Sequence, residues 1–143
     1  MGIDYPKLNI GTVLLFMWQL PQVIVSLLLM AVIQKGVTKY MNDHTGMIVW
    51  RVNHSFKACW SLGPYIFIPG EQPEQTLRHE TGHSVQSLIL GPAYLFAVGL
   101  PSAILFAIRR KKNKDEKWYY SHYPENWANK LGGVDELASK EQE

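Results

Sequence analysis

Apolar positions along the chain change their spacing several times, and each change predicts an element. From Asn9 to Ile33 nearly every residue is apolar, and about 25 positions pass without a charge, which suffices to cross a bilayer as one helix. Gln19-Leu20-Pro21-Gln22 interrupts this run. Proline removes a helical hydrogen bond and two amides are costly in lipid, so the pattern predicts a kink at Pro21, with a bent segment lying partly in the membrane interface as the alternative to a straight span. The residues before the run are barely basic and no small-residue cleavage site follows it, which argues against a cleaved signal peptide.

Between Lys35 and Pro69 the runs are short, β-branched and aromatic: 37–41, 47–52 and 65–68, with Ala58-Cys59-Trp60-Ser61 as a further strand. Asn, Asp, Gly, His and Pro punctuate them, so an antiparallel sheet over 37–68 is expected, with its edge at 65–68 or at the Trp60 segment. A helix over 73–90 follows, opened by Pro73 with Glu71 and Glu74 at its positive end and stopped by Gly91-Pro92. The second apolar block, 93–108, is short for a straight span and is broken by Gly99-Leu100-Pro101-Ser102. Pro124 and the Gly132-Gly133 pair frame a last short helix at 123–131.

At 143 residues the chain is expected to form one α+β domain, 1–133, with a flexible polar tail at 134–143. The net charge of +2 is too small to suggest nucleic acid. The run Arg109-Arg110-Lys111-Lys112-Asn113-Lys114 directly after an apolar block, with Lys35 and Lys39 after the first, favours anionic lipid headgroups and marks the cytoplasmic side. The N-terminus would then lie outside if the first block spans. Cys59, the one cysteine, excludes an internal disulfide and reads as a small buried hydrophobe. His44 and His54 fall in turns without ligand spacing and are expected to be solvated.

The chemistry lies at Leu77-Arg78-His79-Glu80-Thr81-Gly82-His83. Residues four apart share a helix face, so His79 and His83 can offer two imidazoles to one Zn²⁺, and Glu80 is placed to take a proton from a metal-bound water. Catalytic zinc takes three protein ligands, and Glu125 is the candidate for the third. Asn129, four residues on, then comes near a ligand histidine and can accept its second ring N–H. For Glu125 to return to the histidines, the block at 93–112 is expected to be a re-entrant hairpin turning at Gly99 to Ser102. A true span would carry Glu125 across the membrane, unless the metal helix itself lay in the bilayer. Among Tyr119, Tyr120, His122 and Tyr123, the last two stand nearest Glu125 in sequence and are the leading candidates to donate to an oxyanion.

The pair of motifs resembles the gluzincin metallopeptidases, in which His-Glu-x-x-His is followed by Glu-x-x-x-Asp or Glu-x-x-Ala-Asp. The similarity is to membrane-associated members, the CAAX-processing and heat-shock membrane peptidases, and to minimal gluzincins. Asn129 stands where that pattern has Asp. The wider string, with Gln86-Ser87, Gly91-Pro92, Gly99-Leu100-Pro101-Ser102 and Trp127 to Val134, also resembles small bacterial membrane proteins. The resemblance implies a zincin-like core whose sheet edge holds an extended peptide, and a peptidase of the bacterial cell membrane with its active site at the cytoplasmic face. It would act on a peptide or protein substrate and bind membrane lipid. The alternative is a catalytically inactive zinc-binding membrane interaction module, in keeping with an amide at Asn129.

Overall fold

The chain does not run straight through its first apolar stretch. The structure, a computed structural model, describes residues 3–140. Helices α1 (Ile10–Trp18) and α2 (Leu20–Ile33) meet at 96°. Pro21 sits in the first turn of α2, where its missing N–H costs nothing. No single helix among the described residues is long and apolar enough to cross a membrane, although α1 and α2 together pass by length and composition.

The polarity of α2 is inverted. Gln22 and Ser26 are fully buried while Leu28 and Val32 are 66% and 83% exposed. The inward polar groups are paired except for Gln22 Oε1: Gln22 Nε2 donates to Ser87 Oγ (3.0 Å) and to the Gly91 carbonyl (2.7 Å). Ser87 Oγ donates in turn to Gln19 Oε1 (2.6 Å), and Ser26 Oγ to the Leu62 carbonyl (3.0 Å). Buried amides that find partners hold two helices in register.

Strands β1 (Gly36–Met41), β2 (Ile48–Asn53), β3 (Trp60–Leu62) and β4 (Tyr65–Ile68) form one sheet in the order β1-β2-β4-β3. The sheet is mixed, not antiparallel as expected, because β2 pairs with β4 in parallel. The β2–β3 connection carries the chain past β4's position, and the tight β3–β4 hairpin then returns it to pair with β2. β4 is therefore interior and β3 is an edge. Alternation sorts the strand residues into two cores. Val37, Val52, Tyr65 and Phe67 pack with Met30 of α2. Val49, Ile66 and Ile68 pack instead with Leu77. All four residues of β4 are consequently buried.

Leu77 belongs to α3 (Glu74–Leu90), which covers the second face. Beyond it, the expected hairpin at Gly99 to Ser102 is absent. A 3₁₀ turn (Gly91–Ala93) and a π turn (Leu95–Gly99) lead into α4 (Leu100–Lys111), and Gly99 and Leu100 are both right-handed helical. Pro101 removes the N–H that would bond the Ala97 carbonyl, and the Tyr123 hydroxyl donates to that carbonyl instead, so the helix continues. The reversal comes later, at Asn113, where φ is +50°. The Lys114 N–H reaches the Arg109 carbonyl (3.0 Å) and the Asn113 N–H the Arg110 carbonyl (3.4 Å), a Schellman stop. Helices α5 (Glu116–Tyr120) and α6 (Glu125–Gly132) then bring Glu125 back. The expected tail is helical as α7 (Val134–Lys140), with Val134 buried. Residues 141–143 lie outside the described residues.

Candidate metal centre

Two helices, α3 and α6, touch backbone to backbone. A Cβ added at Gly82 would stand 1.9 Å from the Ala128 carbonyl oxygen, and one at Gly132 would stand 1.9 Å from that of Arg78. Glu125, Ala128, Asn129 and Gly132 share one face of α6, at helical spacings of three, four and seven. Small residues at two of these positions let the axes approach. One turn before Ala128, Glu125 then reaches the α3 face that carries His79 and His83. Asn42 secures the far end of α6, its buried amide donating to the Gly132 carbonyl (3.2 Å).

His79 Nε2 and His83 Nε2 lie 3.0 and 3.1 Å from Glu125 Oε2, and the three atoms fall within 4.8 Å of one another. Donors bound to one tetrahedral ion at about 2.0–2.1 Å stand roughly 3.3 Å apart, so the separations suit a small divalent cation. The opposite ring nitrogens fix the tautomers. His83 Nδ1 is 2.8 Å from Gln86 Oε1, and Gln86 Nε2 donates to the Pro124 carbonyl (3.0 Å). A carbonyl only accepts, so the Gln86 oxygen must face the histidine, and His83 Nδ1 must carry the proton. Asn129 Oδ1, 2.6 Å from His79 Nδ1, imposes the same state. Both Nε2 atoms are thereby directed at one carboxylate oxygen, and each holds there either a proton donated to Glu125 or, with that proton removed, a lone pair for a cation. His79, His83 and Glu125 are all buried and form a group that could hold a metal ion.

Protons and a cation compete for this place. Burial lowers the His83 pKa, but its hydrogen bond to Glu125 and the charges of Glu125 and Glu80 outweigh burial and raise it. Burial likewise raises the Glu125 pKa, yet the hydrogen bonds from the two histidines hold it well below the usual carboxylate range. Glu125 Oε1 is occupied separately, accepting from Ser102 Oγ, and burial, followed by the charge of Glu125, pushes the pKa of the Tyr119 hydroxyl far up.

Glu80 stands beside this group in a cleft of about 560 Å³ that is also lined by His79, His83, Tyr94, Tyr119, Tyr120 and the edge strand β3. Ser61 Oγ of β3 donates within 2.6 Å of Glu80 Oε2 and lies 2.8 Å from the Glu80 carbonyl. Tyr120 packs edge-on to His79, with ring centroids 4.9 Å apart. Its pKa is pushed up to about 12 by burial, then by the charges of Glu80, Glu116 and Glu125, against the opposing charge of Arg109.

His122 and Tyr123 do not line the cleft. His122 Nδ1 bonds the Trp118 carbonyl (2.6 Å) on the exterior, and Tyr123 serves the carbonyl that Pro101 leaves free. Tyr119 and Tyr120, nearer the start of the aromatic run, line the cleft in their place. His54 is buried rather than solvated: its Nδ1 accepts from the Phe56 N–H (3.0 Å), its ring lies against Trp60, and burial lowers its pKa. Cys59 is half-buried in the cleft wall. Ser102, assigned to a turn by its glycine and proline neighbours, is a ligand-positioning residue that no local pattern announces. Gln86, which continues the histidine face three residues after His83, satisfies that ring and a neighbouring carbonyl, as its place on the helix leads one to expect.

No family model matches the chain, and no curated protein or solved structure matches it either.

Proposed function

We propose that this chain is a membrane-associated zinc peptidase with a gluzincin-type ligand set of His79, His83 and Glu125. The observation that carries the reading is the convergence of two tautomerically fixed Nε2 lone pairs and one buried carboxylate oxygen beside Glu80 in an open cleft. Two nitrogens and one oxygen suit zinc. Bound there, the ion would supply Lewis acidity, making water acidic near neutral pH and polarising a carbonyl. Glu80 accepts the proton that the attacking water sheds and delivers it to the departing amine. Tyr120, protonated at neutral pH, donates to the carbonyl oxygen as it gains charge. β3, an edge strand in the cleft wall, is where an extended peptide would lie, a peptide N–H displacing the Tyr94 hydroxyl from the Ser61 carbonyl (3.2 Å).

Cleavage of a quenched fluorescent peptide library by zinc-loaded protein tests this reading. Glu80→Gln should lower kcat by at least roughly 10²–10⁴-fold while zinc is retained. Cleavage that survives the substitution would sink the assignment. The inactive zinc-binding interaction module is the second reading, favoured by the Ser61 hydrogen bond that already occupies Glu80 Oε2. Stoichiometric zinc with no turnover in either detergent or lipid would establish it.

Lipid contact is supported by α2, which buries Gln22 and Ser26 while exposing Leu28 and Val32, and by α1, which buries none of its residues. A helix that turns amides inward and leucines outward has hydrocarbon, not water, as its solvent. Leu28→Glu combined with Val32→Glu should release the protein from phospholipid vesicles with its metal content intact. Undiminished vesicle binding would refute lipid contact at this face.

A further inference from the structure

We propose that Arg109 forms an anion subsite in the wall of the cleft and takes a carboxylate of the peptide, either the C-terminal group or an Asp or Glu side chain. This deepens the peptidase reading and rests on it. Arg109 lines the same cleft as Glu80 and the two histidines, on the face of α4 that carries Ser102 and Phe106. Its guanidinium lies 5.3 Å over the ring of Tyr119, a residue of the same cleft wall. The side chain is only 26% exposed, yet its guanidinium makes no hydrogen bond among the described residues. Its ionic contact is Glu116 at 3.6 Å, whose own side chain is 75% exposed.

A pair so distant and so wet contributes little, and no guanidinium nitrogen of Arg109 is among the buried atoms left without a partner, so its N–H groups stay open to an incoming anion. The rigid fork matches a carboxylate through two parallel N–H···O bonds. The cation–π contact with Tyr119 holds the guanidinium at the cleft wall in advance, so less freedom is lost on binding. Arg110 and Lys111, next along α4, are exposed and fit headgroups. Arg109 differs in turning toward the cleft.

The test uses a short apolar fluorescent peptide in three forms: free C-terminus, C-terminal amide, and amide with an internal Glu. Cleavage is measured with zinc-loaded wild type, and binding by anisotropy with zinc-loaded Glu80→Gln, each with and without Arg109→Gln. A charged hydrogen-bonded pair is worth roughly 10–100-fold, so one carboxylate form should exceed the plain amide by that factor, mainly through KM, and Arg109→Gln should bring the ratio near one. Which form is preferred identifies the carboxylate. Arg109→Lys should restore only part of the preference. Equal loss for all three peptides would make Arg109 a structural support and overturn the subsite. So would weakened vesicle binding with an unchanged peptide ratio, which would assign Arg109 to lipid. Discrimination in binding without any cleavage would uphold the subsite and defeat the peptidase reading. Cleavage without discrimination would do the reverse.

Discussion

Protein purified without chelators and supplied with zinc is expected to carry one ion per chain, and His79→Ala, His83→Ala and Glu125→Ala are expected to carry essentially none. The three donors are buried, and two of them hold their lone pairs inward because Asn129 and Gln86 accept their Nδ1 protons. Deleting a donor leaves two ligands in a pocket sized for three. The loss should therefore exceed the roughly 10–100-fold that outer partners contribute. Gln86→Leu supplies that smaller effect, since it frees the His83 ring and leaves the Pro124 carbonyl unpaired. Acid should release the metal from wild type below roughly pH 5, as protons occupy the ligands. Elemental mass spectrometry with chelator competition reads every arm. Stoichiometric zinc on Glu125→Ala, or none on wild type, would dissolve the centre.

What the sequence made legible was local. The His79–His83 spacing, the Glu125–Asn129 pair and the kink at Pro21 each follow from helical geometry over a few residues, and the structure holds all three. The strand positions were legible from alternation, but their order was not. β2 and β4 are separated by β3 in sequence, and only the pairing of β4 with both of them shows that it lies inside the sheet. Pro101 misled for a related reason. A proline's missing donor predicts a break only if nothing else bonds the stranded carbonyl, and Tyr123, distant in sequence, does so. The same contact withdraws Tyr123 from the chemistry and leaves Tyr119 and Tyr120 in the cleft. Gly132, read as part of a helix stop, is the last residue of α6 and a point of contact. Its partner Gly82 lay unremarked between the two histidines.

Those two glycines carry the final expectation: Gly82→Ala and Gly132→Ala should each destabilise the protein and empty the metal site. Alanine favours a helix over glycine by about 1 kcal/mol, so an isolated helix would gain from either change. Here the new methyl would stand 1.9 Å from a backbone carbonyl oxygen, where real Cβ atoms essentially never come within 3.0 Å. Backbone cannot rotate aside as a side chain can. The α3 and α6 axes must part by about 1 Å, at an overpacking cost of roughly 3 kcal/mol. The clash exceeds the propensity gain by roughly 2 kcal/mol and should lower Tm by roughly 7 °C. Separation also withdraws Glu125, one turn from Ala128, from both histidines. Gly99→Ala is the control, because its Cβ would meet neighbours at an ordinary 3.7 and 3.8 Å, and it should leave Tm unchanged or slightly raised. A Gly82→Ala protein with wild-type Tm and full metal content would show that the two helices do not meet at this point, and the third ligand would have to be sought elsewhere.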